Sequence, residues 1–567
     1  MKPSCWHPGK KLITLTTLSV FSTVLPALAA TRPDTGAILD NAKPPAAQQP
    51  AERKAPAIAV EEQPVAPAED SGQKIFVSAF RIRGETPVPA AELLALVQSE
   101  AGQESTLGEL NRLTGKITQY LRRHGYLVAF AYLPAQDIRD GVVEIAVVPG
   151  TYGQVSITGN SPVSPDRLRA MLFAARPGAV ITREPLERAL LLINDLTGIT
   201  VKATLAPGKE AGTADLILET AATAKTSGAA YSDNWGSRYT GRTRYGTQLT
   251  VNNLSGSGDA FSFGGLTTRD GIDNYNFGYS VPVGADGAAV GVSYSHVGYT
   301  LGDSFASLGA TGRAAVASYQ LSYPFLRSRR ASLYGSFGYD HKQLRDDMSG
   351  YGSYNPRTSG LWHIGLSGNS ADAWLGGGAS SFSLTQYWGS LDLTDAASLA
   401  TDAATAQTDG HFTKTVLTYR RQQAVAQNLN FNLSFTGQLA GKNLDSSEKL
   451  YLGGADGVRA YPQGEGGGDQ GYKLTGELRW RLPGASAGPN NLYLNTFYDY
   501  GSVLTNKDPY AAGDNRRNLA AAGLGLLWVQ GSDFTVRLDY AWKAGHENAT
   551  ADTDKKGRCW LQAVKYF

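Results

Sequence analysis

Tyr245-Gly246-Thr247-Gln248-Leu249-Thr250-Val251-Asn252 places Tyr245, Thr247, Leu249 and Val251 on one face of an extended chain, and Gly246, Gln248, Thr250 and Asn252 on the other. The same period of two returns at Asn274-Tyr275-Asn276-Phe277-Gly278-Tyr279-Ser280-Val281 and at Asn430-Phe431-Asn432-Leu433-Ser434-Phe435. A soluble β-sandwich alternates as well, but its inner face carries large core residues. Here one face is aromatic and aliphatic while the other holds Asn, Gln, Ser and Gly, which suits a wall with lipid outside and water inside. About sixteen such segments run over 226–567, an even number as bacterial barrels require. Short connections such as Ser255-Gly256-Ser257-Gly258 alternate with long ones at 346–356, 393–410, 441–470 and 543–556. That asymmetry predicts short periplasmic turns and long external loops. The expected fold of 226–567 is therefore a transmembrane β-barrel of about 16 antiparallel strands.

Upstream, Lys2, Lys10 and Lys11 lead into an apolar run over 12–28 that closes on Ala27-Leu28-Ala29. Residues 1–29 read as a secretory signal peptide rather than an uncleaved anchor. Nothing after it approaches the ~18 consecutive apolar residues of a spanning helix. Cys5 leaves with the leader, so Cys559 stands alone; an intramolecular disulfide, a thiolate metal site and a two-cysteine redox centre are excluded. A formal net charge of +2 gives no reason to expect nucleic acid, and 65 glycines with 28 tyrosines fit a barrel with aromatic girdles.

Residues 30–73 are rich in Pro and Ala and poor in large apolar groups, the composition of a linker. Within it, Pro33-Asp34-Thr35-Gly36-Ala37-Ile38-Leu39-Asp40 starts as a short helix would, although Gly36 weakens it, and both helix and coil stay open for 33–42. Next, residues 74–150 and 151–222 repeat one pattern at an offset of roughly 75 positions. Phe80-Arg81-Ile82-Arg83-Gly84 matches Val155-Ser156-Ile157-Thr158-Gly159; Gly102, Leu110 and Ile117 match Gly178, Leu186 and Ile193; Gly125 and Val128 match Gly198 and Val201. Each unit reads strand, helix, helix, strand, strand. A small α/β unit of this kind exposes strand edges that can accept another strand, so spacer and docking module are both open readings.

Two motifs complete the pattern. The loop after the eleventh strand candidate contains Val458-Arg459-Ala460-Tyr461, and two strands on comes Phe497-Tyr498-Asp499-Tyr500-Gly501. A guanidinium on a glycine-rich loop and a carboxylate at an inward strand position can form a bidentate ion pair in the lumen, or remain two separately hydrated charges. The chain here resembles the outer-membrane transporters of two-partner secretion systems, the hemolysin and hemagglutinin secretion/activation proteins of TpsB type. They sit within the superfamily of POTRA-bearing outer-membrane insertases. Their sixth loop carries Val-Arg-Gly-Tyr/Phe and folds into the barrel, and their thirteenth strand carries Phe-x-Asp-x-Gly. Val458, Arg459 and Tyr461 match the first motif, with Ala460 where Gly is usual; Phe497, Asp499 and Gly501 match the second. Ala460 puts the tight turn beside Arg459 in doubt, because Ala tolerates positive φ poorly. The stretch from Asp233 through Trp235 to Arg242 resembles the family's first strand and loop, and the terminal Phe567 its barrel-assembly signal.

The resemblance implies two periplasmic POTRA-like domains at 74–150 and 151–222, residues within 74–222 that bind a partner, and a plug helix at 33–42. It implies one large secreted exoprotein, an adhesin or hemolysin, as the partner, recognised through its N-terminal secretion domain and passed through the barrel without ATP. The barrel-assembly machinery and the lipid bilayer are the other expected partners. An assembly factor that inserts other proteins into the outer membrane is the alternative, and a passive porin ranks last because it leaves the repeats without a role. No catalytic residue, cofactor or metal is expected. No Gly-x-x-x-x-Gly-Lys loop or Gly-x-Ser-x-Gly elbow occurs. Asp392, Asp395, Asp402 and Asp409 lack EF-hand spacing and read as a solvated loop, and Gly464-Glu465-Gly466-Gly467-Gly468-Asp469 reads as a flexible one.

Overall fold

The computed structural model describes residues 32–44, 56–61 and 72–567, so the expected signal peptide at 1–29 lies outside it. Sixteen antiparallel strands, from Thr226–Asp233 to Gly557–Tyr566, follow one another in chain order and close into a barrel. The seam pairs the first strand with the last, with Tyr231 opposite Val564. Side chains alternate between the two faces, as the period of two requires. On the eighth strand, Ser353–Asp372, Trp362 and Ile364 are exposed on the outer wall while Leu361 is buried inside. Tyr339 and Trp388 flank Trp362 on the neighbouring strands and continue its aromatic row.

Where an external loop was expected over 346–356, paired strand runs almost to the tip. The seventh strand reaches Met348, the eighth begins at Ser353, and Asp346 lies opposite Asn355. The polarity that suggested a loop is lumen polarity: Asp346 and Arg357 point inward and pair at 2.8 Å.

Below the barrel, the first α/β unit holds a three-stranded sheet in the order Ala79–Arg83, Val142–Val148, Phe130–Tyr132, with helices Ala90–Ala95 and Leu107–Arg123. The longer helix starts where it does because Thr106 and Glu109 form a capping box. Leu110, Leu113, Ile117 and Leu121 form its buried stripe at helical spacing. The second unit repeats the plan with Thr151–Gly159, Ile199–Pro207 and Thr213–Ala222 around helices Pro165–Met171 and Arg183–Asp195. Gly84 and Gly159, matched by the repeat, both take positive φ, and a Cβ there would strike the carbonyl of Val147 or Thr220 at 2.7 and 2.2 Å.

The linker expectation needs one correction. Ile58–Val60 is a strand, added in parallel to the edge strand Ile199–Pro207 of the second unit with Ile58 opposite Ala203. Ile58 and Val60 pack against that unit's core, apolar contact that Pro/Ala composition alone hides. The second unit is fastened to the barrel's short turns. Asp195 pairs with Arg327 through two bonds of 2.7 and 2.8 Å, and the Asn253 amide donates to the Pro162 carbonyl at 2.7 Å.

Candidate functional site

The loop between the eleventh strand, Leu429–Ala440, and the twelfth, Gln470–Arg481, folds into the lumen. It leaves the wall as a short ladder, Leu450–Tyr451 on Gly467–Gly468, and tightens where the Val458 N–H donates to the Leu452 carbonyl at 2.7 Å. The Tyr461 N–H then donates to the Val458 carbonyl at 3.0 Å, closing a turn with Arg459 and Ala460 at its centre. Ala460 is not among the residues with positive φ, so this turn needs no glycine and the alanine carries no strain. Val458, Ala460 and Tyr461 are buried with Leu452 against Phe497 and Val503 of the wall.

Arg459 is the hub. Its Nε and Nη2 donate to the two oxygens of Asp499, each at 2.9 Å, and its backbone N–H reaches Asp499 at 3.2 Å. Nη1 donates to Glu477 at 3.2 Å and to Asp539 at 3.1 Å. Arg479 pairs with Glu477 and Arg537 with Asp539, so three cations meet three carboxylates, with Arg459 and Asp499 buried at the centre. Burial opposes the charge on Arg459, but Asp499 first, then Asp539 and Glu477, raise its pKa on balance. The Phe497 ring lies 3.2 Å from its Cζ, a cation–π contact beneath the ion pair. Gly501 has ordinary extended backbone; its value is space, because a Cβ there would sit 2.8 Å from Leu452 of the loop. The structure thus brings Arg459, Phe497, Asp499 and Gly501 into one contact region. Phe567 lies elsewhere, exchanging backbone hydrogen bonds with Gly228 at the seam while its ring covers that glycine.

The flexible reading of 464–469 is corrected. Glu465 and Asp469 are fully buried. Glu465 accepts from the Thr550 and Ala551 amides at 2.8 Å and pairs with Arg517, while Asp469 pairs with Lys449 at 2.8 Å. A glycine-rich sequence served close packing here, not mobility. In 393–410 the acids cap backbone: Asp395 accepts from Ser398 at the start of helix Ala396–Ala404, and Asp402 from Thr408 and Asp409.

A second set of contacts surrounds the N-terminal helix Thr35–Asn41, which lies in the lumen with Asp34 as its N-cap. Gly36 weakens helices in general, yet a Cβ there would meet the Ser446 backbone at 2.2 Å, so glycine lets the helix touch the in-folded loop. Thr35 bonds Asp346 through its N–H at 3.0 Å and its hydroxyl at 2.5 Å, and Tyr299 donates to the same carboxylate. Arg357 links Asp346 to Asp445 of the loop, 2.9 Å away. At the other end of the helix Arg244, paired with Asp233 at 2.8 and 2.9 Å, donates to the carbonyls of Asn41 and Lys43. Nearby, Lys342 and Lys414 close on Glu448 at 2.5 and 2.7 Å. Sequence reasoning missed these residues. The available signal was charge at the inward positions of strands that otherwise alternate neutral polar and apolar groups.

Comparison with known proteins fits this architecture. The family described as haemolysin secretion/activation protein ShlB/FhaC/HecB matches residues 212–527, and the ShlB-type POTRA domain matches 75–150. The heme/hemopexin transporter protein HuxB of Haemophilus influenzae strain 86-028NP is 28% identical over 86% of both chains. The outer membrane transporter CdiB of Escherichia coli O6:K15:H31 is 26% identical over 76% of this chain and 73% of its own. Among solved structures, CdiB from Escherichia coli superposes with a TM-score of 0.69 at 21% identity, covering 89% of this chain and 92% of that one. BamA from Haemophilus ducreyi lacking POTRA domains 1–3 gives 0.51 at 18% identity, over 87% of this chain and all of that one, a likeness of fold. A sixteen-stranded barrel with periplasmic POTRA domains and a match over more than half its length place the chain in the haemolysin secretion/activation family, the outer-membrane transporters of two-partner secretion.

Proposed function

We propose that the protein exports one large exoprotein, capturing its N-terminal secretion domain with the POTRA domains and passing it, extended, through the barrel to the surface or medium. The sheet of the first POTRA domain ends on two edges, Ala79–Arg83 and Phe130–Tyr132, and an open edge offers backbone hydrogen bonds to an incoming chain. The observation that carries the reading is what fills the lumen: the chain's own terminal helix resting on an in-folded loop, both joined to the wall by polar contacts. Such a filling is a removable obstruction, and it gives the barrel a use as a conduit. With no nucleotide loop in the sequence, direction comes from capture on one side and folding of the exported chain on the other.

An adhesin or hemolysin is the expected class of partner, and the similarity to a heme/hemopexin transporter adds a heme- or hemopexin-binding exoprotein to those to be sought. Deleting the gene and comparing culture medium with outer-membrane profile tests the proposal. One large protein should vanish from the medium while the membrane profile stays unchanged; general loss of barrel proteins would replace export with barrel assembly.

A further inference from the structure

At the outer end of the seam, a pocket of about 360 Å³ opens between the last strand and the loops around it. Arg242 of the first external loop, Lys555 of the last, and Arg558 of the last strand line it with a single carboxylate, Asp552. Asp552 already serves both arginines, at 3.1 Å from each, and Lys555 adds a third cation to the lining; Arg238, 3.7 Å from Asp552, is balanced by Asp303 at 2.6 Å. Positive charge is therefore in excess. Arg558 is 8% exposed and holds Asp552 and the Thr553 carbonyl, which leaves the donors that face the pocket to Arg242 and Lys555. Three cations against one carboxylate leave the lining short of negative charge, which suits the pocket to an anion the protein does not itself supply.

Its height in the wall indicates the source. Tyr540 and Cys559, a cross-strand pair, border the pocket from the outer face, and Tyr540 packs edge-on against Trp542. Exposed Tyr and Trp at the external end of a barrel mark the level of the lipid headgroups. We propose that this pocket binds a phosphate group, supplied by the phosphorylated glycolipid of the outer leaflet. The unused donors of Arg242 and the Lys555 ammonium meet the phosphate oxygens, with the buried Arg558 adding its charge from behind Asp552. A phosphate held there joins the first and last external loops across the seam, beside Gln463 of the in-folded loop.

The test uses the full chain in detergent, with thermal unfolding and native mass spectrometry as readouts. Bisphosphorylated lipid A, dephosphorylated lipid A and inorganic phosphate are the three probes. The variant carries Arg242→Gln with Lys555→Gln, both on loops, so that the barrel itself is spared. Bisphosphorylated lipid A should raise the unfolding midpoint and remain bound, with roughly tenfold weaker binding to the variant and to the dephosphorylated lipid. An equal rise with inorganic phosphate alone supports the phosphate site and assigns it to free phosphate instead of lipid. Equal binding of both lipids, equal binding by the variant, or no shift with any probe overturns the proposal.

Discussion

Arg459 of the in-folded loop reaches three carboxylates on three strands, whereas helix Thr35–Asn41 meets the wall through a threonine on Asp346 and through the carbonyls of Asn41 and, just past its end, Lys43 on Arg244. The contrast lies in what each would leave behind. Without the helix, Asp346 keeps Arg357 and Asp233 keeps Arg244, and the wall charge that loses a counter-charge is Lys473, which faces Asp40. Without the arginine side chain, Asp499 loses its bidentate partner and keeps the Thr475 hydroxyl at 2.9 Å and the residue-459 N–H at 3.2 Å, and the cluster carries one cation too few. One occupant of the lumen can leave cheaply, and the other is wired in.

Arg459→Ala should therefore break the comparison most severely. Removing one partner of a buried ion pair costs about 3–5 kcal/mol, because the other charge stays buried. Export should be abolished while the barrel still reaches the membrane and shifts on unheated gels, and the loop should become sensitive to protease added outside. Arg459→Lys keeps the charge and loses the fork, so it should restore export only in part. Normal export by the alanine variant would remove the loop from the mechanism.

Gly501 probes the same lock through volume alone. A side chain at 501 drives into Leu452, and overpacking of this kind costs about 1–3 kcal/mol. Gly501→Val should lower export and expose the loop to protease, less than Arg459→Ala does. Leu452→Ala in the same chain should recover part of both; no recovery would mean that Gly501 matters for something other than room.

The barrel and the repeats were legible in the sequence because period-two alternation and matched glycines are local signals. The lock was legible as Arg459 and Asp499, through motif and resemblance. Its remaining members were not. Glu477 and Asp539 are single acids at inward positions, and only the in-folding of the loop against the curved wall gathers the twelfth, thirteenth and fifteenth strands around one guanidinium. Ile58 was misread, and the helix around Gly36 left undecided, for a related reason. Helix propensity and linker composition describe a chain without neighbours, whereas Ser446 and the second POTRA sheet decide what those residues do.

Thr35→Val tests the cheap side of the comparison. It removes the hydroxyl bond to Asp346 while leaving shape and the backbone bond in place, a loss of about 1–2 kcal/mol for a hydrogen bond to a charged group. The helix should be found outside the lumen roughly 5- to 30-fold more often. Planar-bilayer recordings should show longer open periods, with export unchanged or faster. Unchanged currents would mean that other contacts hold the helix.

The smallest expected effect is the response to acid, and its sign separates the two occupants. Burial, and then the Asp346 carboxylate, raise the pKa of Asp34 above 3.8 when the helix is docked. A raised pKa means that the docked state binds the proton more tightly than the released one. Docking is then strongest below 3.8 and weakens as pH rises through the docked value. Glu448 of the loop behaves in the opposite sense. Burial would raise it, but Lys342 and Lys414 hold it down to about 2, so its contribution is present above 4.5 and lost as pH falls from there. Asp40, lowered from 3.8 against its burial by Lys43 and Lys473, also acts only below that value. Above 4.5 neither Glu448 nor Asp40 changes its charge, so acidification toward the raised Asp34 value strengthens docking, and acid should lengthen the closed periods of the channel. Asp34→Asn, neutral at every pH, should flatten that dependence while leaving the loop protected from protease. An identical pH response in the variant would show that the helix senses acid through another group, and that its attachment is less separate from the loop than the contacts around Asp346 indicate.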